Sequence, residues 1–171
     1  MQKSIKKIID VIKNNATLTF NQIAEKTKLT RHTVSRVMNY MHDKKIIWGT
    51  YTVIDPEYND KKTFILLITG KSNTDKNHEL VKYFRKEWRE TNNNLSILYS
   101  GILHGKYDII IIFNAKDIFE ARRFFSNIFK NQITNIQSHI ILENLITVRC
   151  CEHINPNLDK HLEMLQNDKK I

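Results

Sequence analysis

The sequence is poor in glycine, proline and cysteine, and it has no long apolar run. Four glycines among 171 residues leave little room for a glycine-rich nucleotide-binding loop. The only cysteines, Cys150 and Cys151, are adjacent, so a disulfide framework is excluded and a reducing cytosol is the simplest setting. The longest apolar stretches, such as Ile109 to Phe113, have strand length and fall far short of the ~20 residues that span a membrane. The N-terminus is charged and lacks an apolar signal core, so we expect a cytoplasmic protein without membrane attachment.

Catalytic chemistry also has little support in the sequence. We find no nucleophile–base pair and no paired-carboxylate site, and His78, His104 and His139 are scattered along the chain. Residues 150–153 (Cys-Cys-Glu-His) can be interpreted as metal ligands, but their spacing fits no standard zinc pattern. A pair of thiols at the end of a strand, one facing the core, is the simpler interpretation. We therefore expect no catalytic residue, no cofactor and no metal.

Positive charge is present in excess and is unevenly distributed. The formal net charge is +9. Residues 1–62 hold 12 Lys and Arg against 6 Asp and Glu, whereas residues 63–171 hold 15 against 12. A generally lysine-rich composition explains the total better than it explains this asymmetry. A basic segment attracts polyanions by releasing their counterions, so the N-terminal third is the candidate nucleic-acid-binding part.

Residues Leu18 to Ile47 have the pattern of a helix-turn-helix. Thr19 is a candidate N-cap with Gln22 three residues later, which is a capping box. Thr30 is a second candidate N-cap, and only Lys28 and Leu29 separate it from the end of the preceding helix. Two short helices joined by a tight turn have the geometry that places the second helix in a DNA major groove.

The second helix of this unit, about Arg31 to His42, has two distinct faces. Apolar side chains recur at helical spacing and are expected to pack inward: Val34, Val37, Met38 and Met41. The opposite face carries side chains that can bind DNA, since Arg can fork onto guanine and Asn onto adenine. A solvated face of an ordinary helix is the alternative interpretation; the paired caps, the tight turn and the basic charge favour DNA contact. The candidate DNA-binding residues on this face are Arg31, His32, Ser35, Arg36 and Asn39.

The flanking segments complete an N-terminal domain over residues 1–54. An amphipathic helix precedes the unit, with an apolar stripe of Ile5, Ile8, Ile9 and Ile12. After it, the β-branched and aromatic segment from Ile46 to Ile54 is expected to form a short strand or wing. Pro56 ends this segment, and residues 55–62 are interpreted as a polar hinge or linker.

The remainder predicts an α+β domain over residues 63–150. Strands are expected at 63–69, 95–103, 109–113 and 136–148, with helices at 75–90 and 117–131. The order βαββαβ is that of a ferredoxin-like sandwich. Its helices cover one face of the sheet, so the other face predicts dimerisation. Residues 151–171 form a tail in which Leu158, Leu162 and Leu165 suggest a short amphipathic helix, although a frayed terminus is equally consistent with the sequence.

The ordered combination of these pieces resembles the leucine-responsive/asparagine-operon (Lrp/AsnC) regulators over about residues 1–150. The second domain contributes Gly105-Lys106-Tyr107-Asp108 followed by an apolar strand, which is similar to the glycine turn of the RAM-type domain of that family. The matching N-terminal pieces are 9–12, 15–19, Ile23-Ala24, Leu29-Thr30, Thr33-Val34, Arg36-Val37, 46–51 and 54–56.

The resemblance implies a transcription regulator that binds double-stranded DNA as a homodimer or as a larger ring of dimers. Carried onto this sequence, it adds Thr30 and Thr33 to the residues that would face DNA. It also implies that a small effector, often an amino acid, binds near the glycine turn, at Gly105, Lys106, Tyr107 and Asp108. The residues alone are equally consistent with a purely structural role, in which the glycine only makes the turn and the aspartate only caps it.

Departures from the family pattern and two alternative functions remain open at this stage. The family usually has glycine where this chain has Lys45, which suggests a different helix ending. Some proteins with this two-domain plan decarboxylate a sirohaem tetrapyrrole, and they carry histidine and arginine clusters that are not evident here. A partner-binding subunit that has lost DNA contact is the other alternative; the intact basic face of the second helix disfavours it.

Overall fold

The computed structural model describes residues 1–70, 95–132 and 136–168. The chain divides into two compact units, one formed by Met1–Val53 with Thr147–Ile171 and the other by Ile54–Ile146. Residues 147–150 therefore group with the N-terminal unit, whereas the sequence assigned them to the second domain. No helix in the described ranges has the length and apolar character needed to cross a membrane.

Three helices form the core of the first unit: α1 (Gln2–Ile12), α2 (Phe20–Thr27) and α3 (Arg31–Asp43). Each contributes one apolar stripe, as the helical spacing predicted. The stripes meet in a cluster that excludes solvent almost completely, formed by Ile8, Ile23, Ala24, Val34, Val37 and Met41. The helix-turn-helix expected over residues 18–47 is confirmed.

Helices α2 and α3 end in the same way, and this corrects the expectation about Lys45. Lys45 adopts a left-handed conformation with φ 55°, so the helix ends as it would with glycine. Its N–H donates to the carbonyl of His42 (2.9 Å), and the N–H of Ile46 donates to that of Met41 (2.8 Å). These two bonds define a Schellman motif, which satisfies carbonyls that have no partner within the helix.

The strand expected over Ile46–Ile54 is not formed. This segment runs without sheet pairing, and Trp48 within it is 96 % exposed. A strand needs a neighbouring backbone to satisfy its N–H and C=O groups. The described strands of the same unit, β5 (Arg149–Cys150) and β6 (His153–Ile154), pair only with each other.

The C-terminal part of this unit continues into a helix, α5 (Leu158–Asp168). The amphipathic helix suggested by the leucine spacing is therefore present. Its half-buried side chains are Leu158, His161 and Leu165, at helical spacing, whereas Leu162 is exposed. Asn155 precedes the helix, and its side chain donates to the carbonyl of Thr147 at 2.9 Å, joining the two ends of the β5–β6 hairpin.

The second unit is built on a four-stranded antiparallel sheet. Its strands are β1 (Lys62–Gly70), β2 (Ser96–Ile102), β3 (Ile109–Ala115) and β4 (Ile136–Asn144), in the order β2-β3-β1-β4. A 3-10 turn at Pro56–Asn59 precedes β1, and helix α4 (Ile118–Gln132) lies between β3 and β4. The expected ferredoxin-like strand order is thus confirmed. The helix expected at 75–90 lies outside the described residues.

Strand β4 is shorter than the sequence predicted. It ends at Asn144 and not at Val148, because Asn144 pairs with Thr63, at the beginning of β1. Beyond that position β1 offers almost no further backbone for pairing. The apolar alternation after Asn144 belongs to the chain that leads into the β5–β6 hairpin.

One face of the sheet forms the core of the second unit. Alternate residues of β1 and β3 point to this face and are buried, as expected for the period of two along a strand. Helix α4 packs Phe124 against Phe113, with ring centroids 4.6 Å apart in an edge-on arrangement. The buried residues of this core are Phe64, Leu66, Ile68, Ile109, Ile111, Phe113, Ala115, Ala121 and Phe124.

The opposite face, called the outer face here, is apolar and only partly buried. The strand register places side chains in two rows across all four strands. One row ends in Leu142, which is 47 % exposed, and in Tyr99, which is 54 % exposed. The first row is Tyr99, Ile112, Ile65 and Leu142, and the second is Gly101, Ile110, Leu67 and Ile140.

The core of the second unit makes a direct prediction about stability. Phe113→Ala should lower the free energy of unfolding by about 3–5 kcal/mol, because it removes a buried ring and leaves a cavity between the sheet and α4. Tyr58→Ala, at a position 90 % exposed, should change it by less than about 0.5 kcal/mol. Urea denaturation of both variants measures the difference. Equal stabilities would contradict the packing described here.

Candidate nucleic-acid interface

Hydrogen bonds at their N-termini fix the starts of α2 and α3. Thr19 and Gln22 form a reciprocal capping box: the Gln22 side chain accepts from the Thr19 N–H at 2.8 Å, and Thr19 Oγ1 accepts from the Gln22 N–H. Thr30 Oγ1 accepts from the Thr33 N–H at 3.2 Å. Both caps expected from the sequence are therefore confirmed. The Thr30 and Thr33 hydroxyls also bond each other at 2.9 Å, so these two candidate residues define the first turn of α3.

The turn between α2 and α3 is short and internally bonded. Lys28 has φ 56°, and its N–H donates to the carbonyl of Glu25 while that of Leu29 donates to Ala24, which is a second Schellman motif. The buried Thr27 hydroxyl donates back to the Ile23 carbonyl at 2.7 Å. The turn is thus held by its own backbone, and it sets the position of α3 against α2.

The outward face of α3 is polar and basic. Arg31, Ser35 and Asn39 follow one another at intervals of four residues, and His32 and Arg36 form a second row beside them. Four of these side chains are exposed, and Ser35 is half-buried. The ion pairs found in the described parts of the chain are Lys13–Asp10 and Lys62–Glu143, so no carboxylate there neutralises either arginine. The face presents guanidinium, amide, hydroxyl and imidazole groups, which are the donors and acceptors that base edges and phosphates bind.

The glycine turn of the second unit lies between β2 and β3. Gly105 has φ 149°, a conformation that other residues rarely adopt. Asp108 Oδ2 accepts from the N–H of Gly70 at 2.7 Å, and the Thr69 hydroxyl donates to the carbonyl of Lys106 at 3.2 Å. These bonds tie the turn to the end of β1. Asp108 thus has a structural partner, whereas Lys106 is exposed.

The two cysteines are near a tyrosine of the same unit. Tyr51 Oη lies 2.5 Å from Cys151 Sγ, a contact that nothing in the sequence indicated. Burial raises the pKa of the Cys150 thiol, and the bond to Cys151 raises the pKa of the Tyr51 hydroxyl. A raised pKa of the Cys150 thiol disfavours the thiolate form that binds metals. In the described residues, no three His, Cys, Asp or Glu side chains come together as a metal site.

The comparisons with known proteins agree with this geometry. Residues 1–47 match a family model described as winged helix-turn-helix DNA-binding. A comparison with curated protein sequences found no match. Among solved structures, the AsnC family transcriptional regulator from Agrobacterium tumefaciens has a TM-score of 0.68 at 16 % identity, covering 91 % of this chain and 97 % of its own. The chain has the Lrp/AsnC fold.

Other structures with the Lrp/AsnC fold match over a similar length. Escherichia coli AsnC has a TM-score of 0.60 at 20 % identity, covering 86 % of this chain and 93 % of its own. A transcriptional regulator of Neisseria meningitidis, solved as a complex with L-Met, has a TM-score of 0.67 at 18 % identity and covers 92 % and 97 %. The Lrp/AsnC resemblance inferred from short sequence pieces therefore extends through both structural units.

The sequence did not reveal that two lysines of this chain have special backbone conformations. Lys28 and Lys45 both adopt left-handed conformations at helix C-termini. The available signal was positional, since each lysine is the residue at which a tight helix ending needs positive φ. Residue type pointed the other way, because lysine is not a residue that favours this conformation.

The bond between Asp108 and Gly70 predicts a difference between two substitutions. Asp108→Ala should lower the free energy of unfolding by about 1–3 kcal/mol, because it leaves the Gly70 N–H without its acceptor. Asp108→Asn keeps an acceptor oxygen and should lose less than half as much. Chemical denaturation of the two variants and the wild type measures both free energies of unfolding. An Ala variant as stable as the wild type would show that the bond does not stabilise the turn.

Proposed function

We propose that this chain is a sequence-specific DNA-binding transcription regulator of the Lrp/AsnC type, without catalytic activity. The observation that carries the proposal is the exposed basic face of α3, presented by a capped helix after a tight turn. Helix-turn-helix proteins place this second helix in the major groove, with its N-terminal residues against base edges. The match of residues 1–47 to a DNA-binding family model supports the same role.

The side chains of α3 differ in chemistry, and we assign them different contacts with DNA. Arg31 and Arg36 carry the guanidinium groups that fork onto guanine, and Asn39 carries the amide that pairs with adenine. His32 and Ser35 offer single donors or acceptors that adapt to more than one base. The hydroxyls of Thr30 and Thr33 bond each other in the first turn. This bond would fix where the α3 backbone begins relative to the base pairs.

We also propose that the outer face of the sheet forms a homodimer. It offers aliphatic side chains from β1, β3 and β4 and the ring of Tyr99 from β2, and the side chains at its margins remain about half exposed. A second copy of the same face is the occupant that an isologous interface requires, because each row can pack against its symmetry mate. A dimer would present two copies of α3 to two half-sites, as helix-turn-helix regulators do.

An amino acid is the small effector that we propose for the glycine turn. The Neisseria meningitidis regulator was solved with L-Met, and this chain shares its fold at 18 % identity. In the turn, the exposed Lys106 ammonium can bind a ligand carboxylate, while Gly105, Tyr107 and Asp108 shape the backbone around it.

An amino acid that changes duplex affinity or the dimer population would support this assignment, and a Lys106→Ala variant should lose that response.

The DNA-binding proposal is tested by Arg36→Ala. If Arg36 forks onto a base, the substitution should weaken binding to the chain's own upstream DNA by roughly 1–3 kcal/mol and relax sequence preference. Exposed Arg122→Ala, on α4 of the second unit, is the matched control and should leave affinity unchanged. Fluorescence anisotropy across a salt series, against random duplex, provides both readouts. A folded Arg36 variant with unaltered affinity and preference would remove Arg36 from the site.

The dimer proposal is tested by Leu142→Asp. A carboxylate within an apolar interface loses its hydration without gaining a partner, so dimerisation should weaken by roughly 2–4 kcal/mol. Phe119→Asp, at a residue 71 % exposed on α4, is the control, because α4 covers the other face of the sheet. Analytical ultracentrifugation of the two variants gives the answer. Dimers of equal strength in both would contradict an interface on the outer face.

A further inference from the structure

The two αL lysines, Lys28 and Lys45, share three properties. Both have positive φ, both occupy the left-handed position of a Schellman motif, and both are exposed. Neither is in an ion pair within residues 1–70, 95–132 and 136–168. They therefore differ from an ordinary surface lysine in backbone conformation alone.

Positive φ is an unfavourable conformation for a lysine. Its Cβ approaches the following carbonyl, whereas glycine has no Cβ and asparagine can bond locally. Asparagine is abundant throughout this chain, so a residue better suited to these positions is common in its composition. Lysine nevertheless occupies both, and in each case it adds a charge at a point where the backbone alone would favour a neutral residue.

The location of the αL lysines suggests what that charge does. Lys28 comes two residues before the N-cap Thr30, and Lys45 comes two residues after Asp43, the last residue of α3. Thirteen helical residues span about 20 Å, which exceeds the ~12 Å width of the major groove. If a helix of this length crosses the groove obliquely, its two ends come close to the sugar–phosphate strands on either side.

We propose that Lys28 and Lys45 are phosphate-binding residues, one at each end of α3, which fix that helix between the two strands of the duplex. The inference rests on the DNA-binding function proposed above. Because each lysine is part of a tightly bonded turn, its backbone is already ordered and loses little freedom on binding. The two contacts carry no sequence information; they set the register in which the α3 face meets the bases.

A competing role for these lysines is stabilisation of the helix ends. A cation near a helix C-terminus interacts favourably with the partial negative charge there. If that were their only role, replacing them would alter folding stability and leave DNA binding unchanged. Phosphate contact predicts weaker DNA binding without a loss of stability, since glycine relieves the backbone strain while removing the charge. The two roles therefore differ in which measurement responds.

The experiment compares Lys28→Gly, Lys45→Gly and the double variant in the full chain, with random duplex and upstream DNA as probes. At ~0.1 M salt, affinity for both duplexes should fall by roughly fivefold or more for each contact removed. The slope of log affinity against log salt should become shallower by about 0.9 per contact. The midpoint of thermal unfolding should not fall, because positive φ suits glycine.

Two further variants complete the design. Lys28→Arg with Lys45→Arg retains both charges and should bind with the wild-type salt slope. Asp60→Gly makes the same kind of backbone change at φ 50° in the second unit and should leave DNA binding unaltered. Unchanged affinity and slope in folded Gly variants would overturn the inference while leaving the regulator function intact. A wild-type chain that binds neither duplex would instead overturn the proposed function, and this inference with it.

Discussion

Burial of one row of α3 against α1 and α2 is the constraint on which the candidate DNA-binding surface depends. Val34, Val37 and Met41 are almost wholly excluded from solvent. A helix whose apolar row is held in this way has no rotational freedom, so the opposite row must face outward. The N-terminal cap and the Schellman endings then fix where that row begins and ends. The polar face contributes nothing to the buried core, so folding of the unit places little constraint on which side chains it carries.

Elements whose signals are local could be predicted from the sequence. Caps, helical stripes and the alternation of β1 and β3 depend on neighbours within a few residues, and the structure confirms them. Features that depend on distant partners could not be predicted. The segment 46–54 has strand composition, but it pairs with no strand in the described residues, where β5 and β6 bond only to each other. The end of β4 is set by where β1 begins, and the Tyr51–Cys151 contact joins residues a hundred positions apart.

The Lys45 correction illustrates a different limit. Residue type indicated a different helix ending, yet the hydrogen bonds available to the last turn imposed the usual one on an unsuited residue. Backbone satisfaction outweighs the preference of a single side chain when it secures two bonds at once. The candidate site gives a second example: the family resemblance assigned Thr30 and Thr33 to DNA contact, and the structure accounts for their hydroxyls by the cap that they form. Whether they also contact DNA remains a prediction.

Tyr99 adds a hydroxyl group to the outer face, which is otherwise apolar. Its ring lies across Gly101, where an added Cβ would come within 2.8 Å of the phenol oxygen, so glycine keeps the tyrosine flat on the sheet. The phenol therefore stands at the margin of an aliphatic surface. Any protein that covers this margin must supply a hydrogen-bond partner or lose the hydration of that hydroxyl. A wholly apolar partner surface is therefore a poor match. The Tyr99 hydroxyl favours a partner that places a hydrogen-bonding group opposite it.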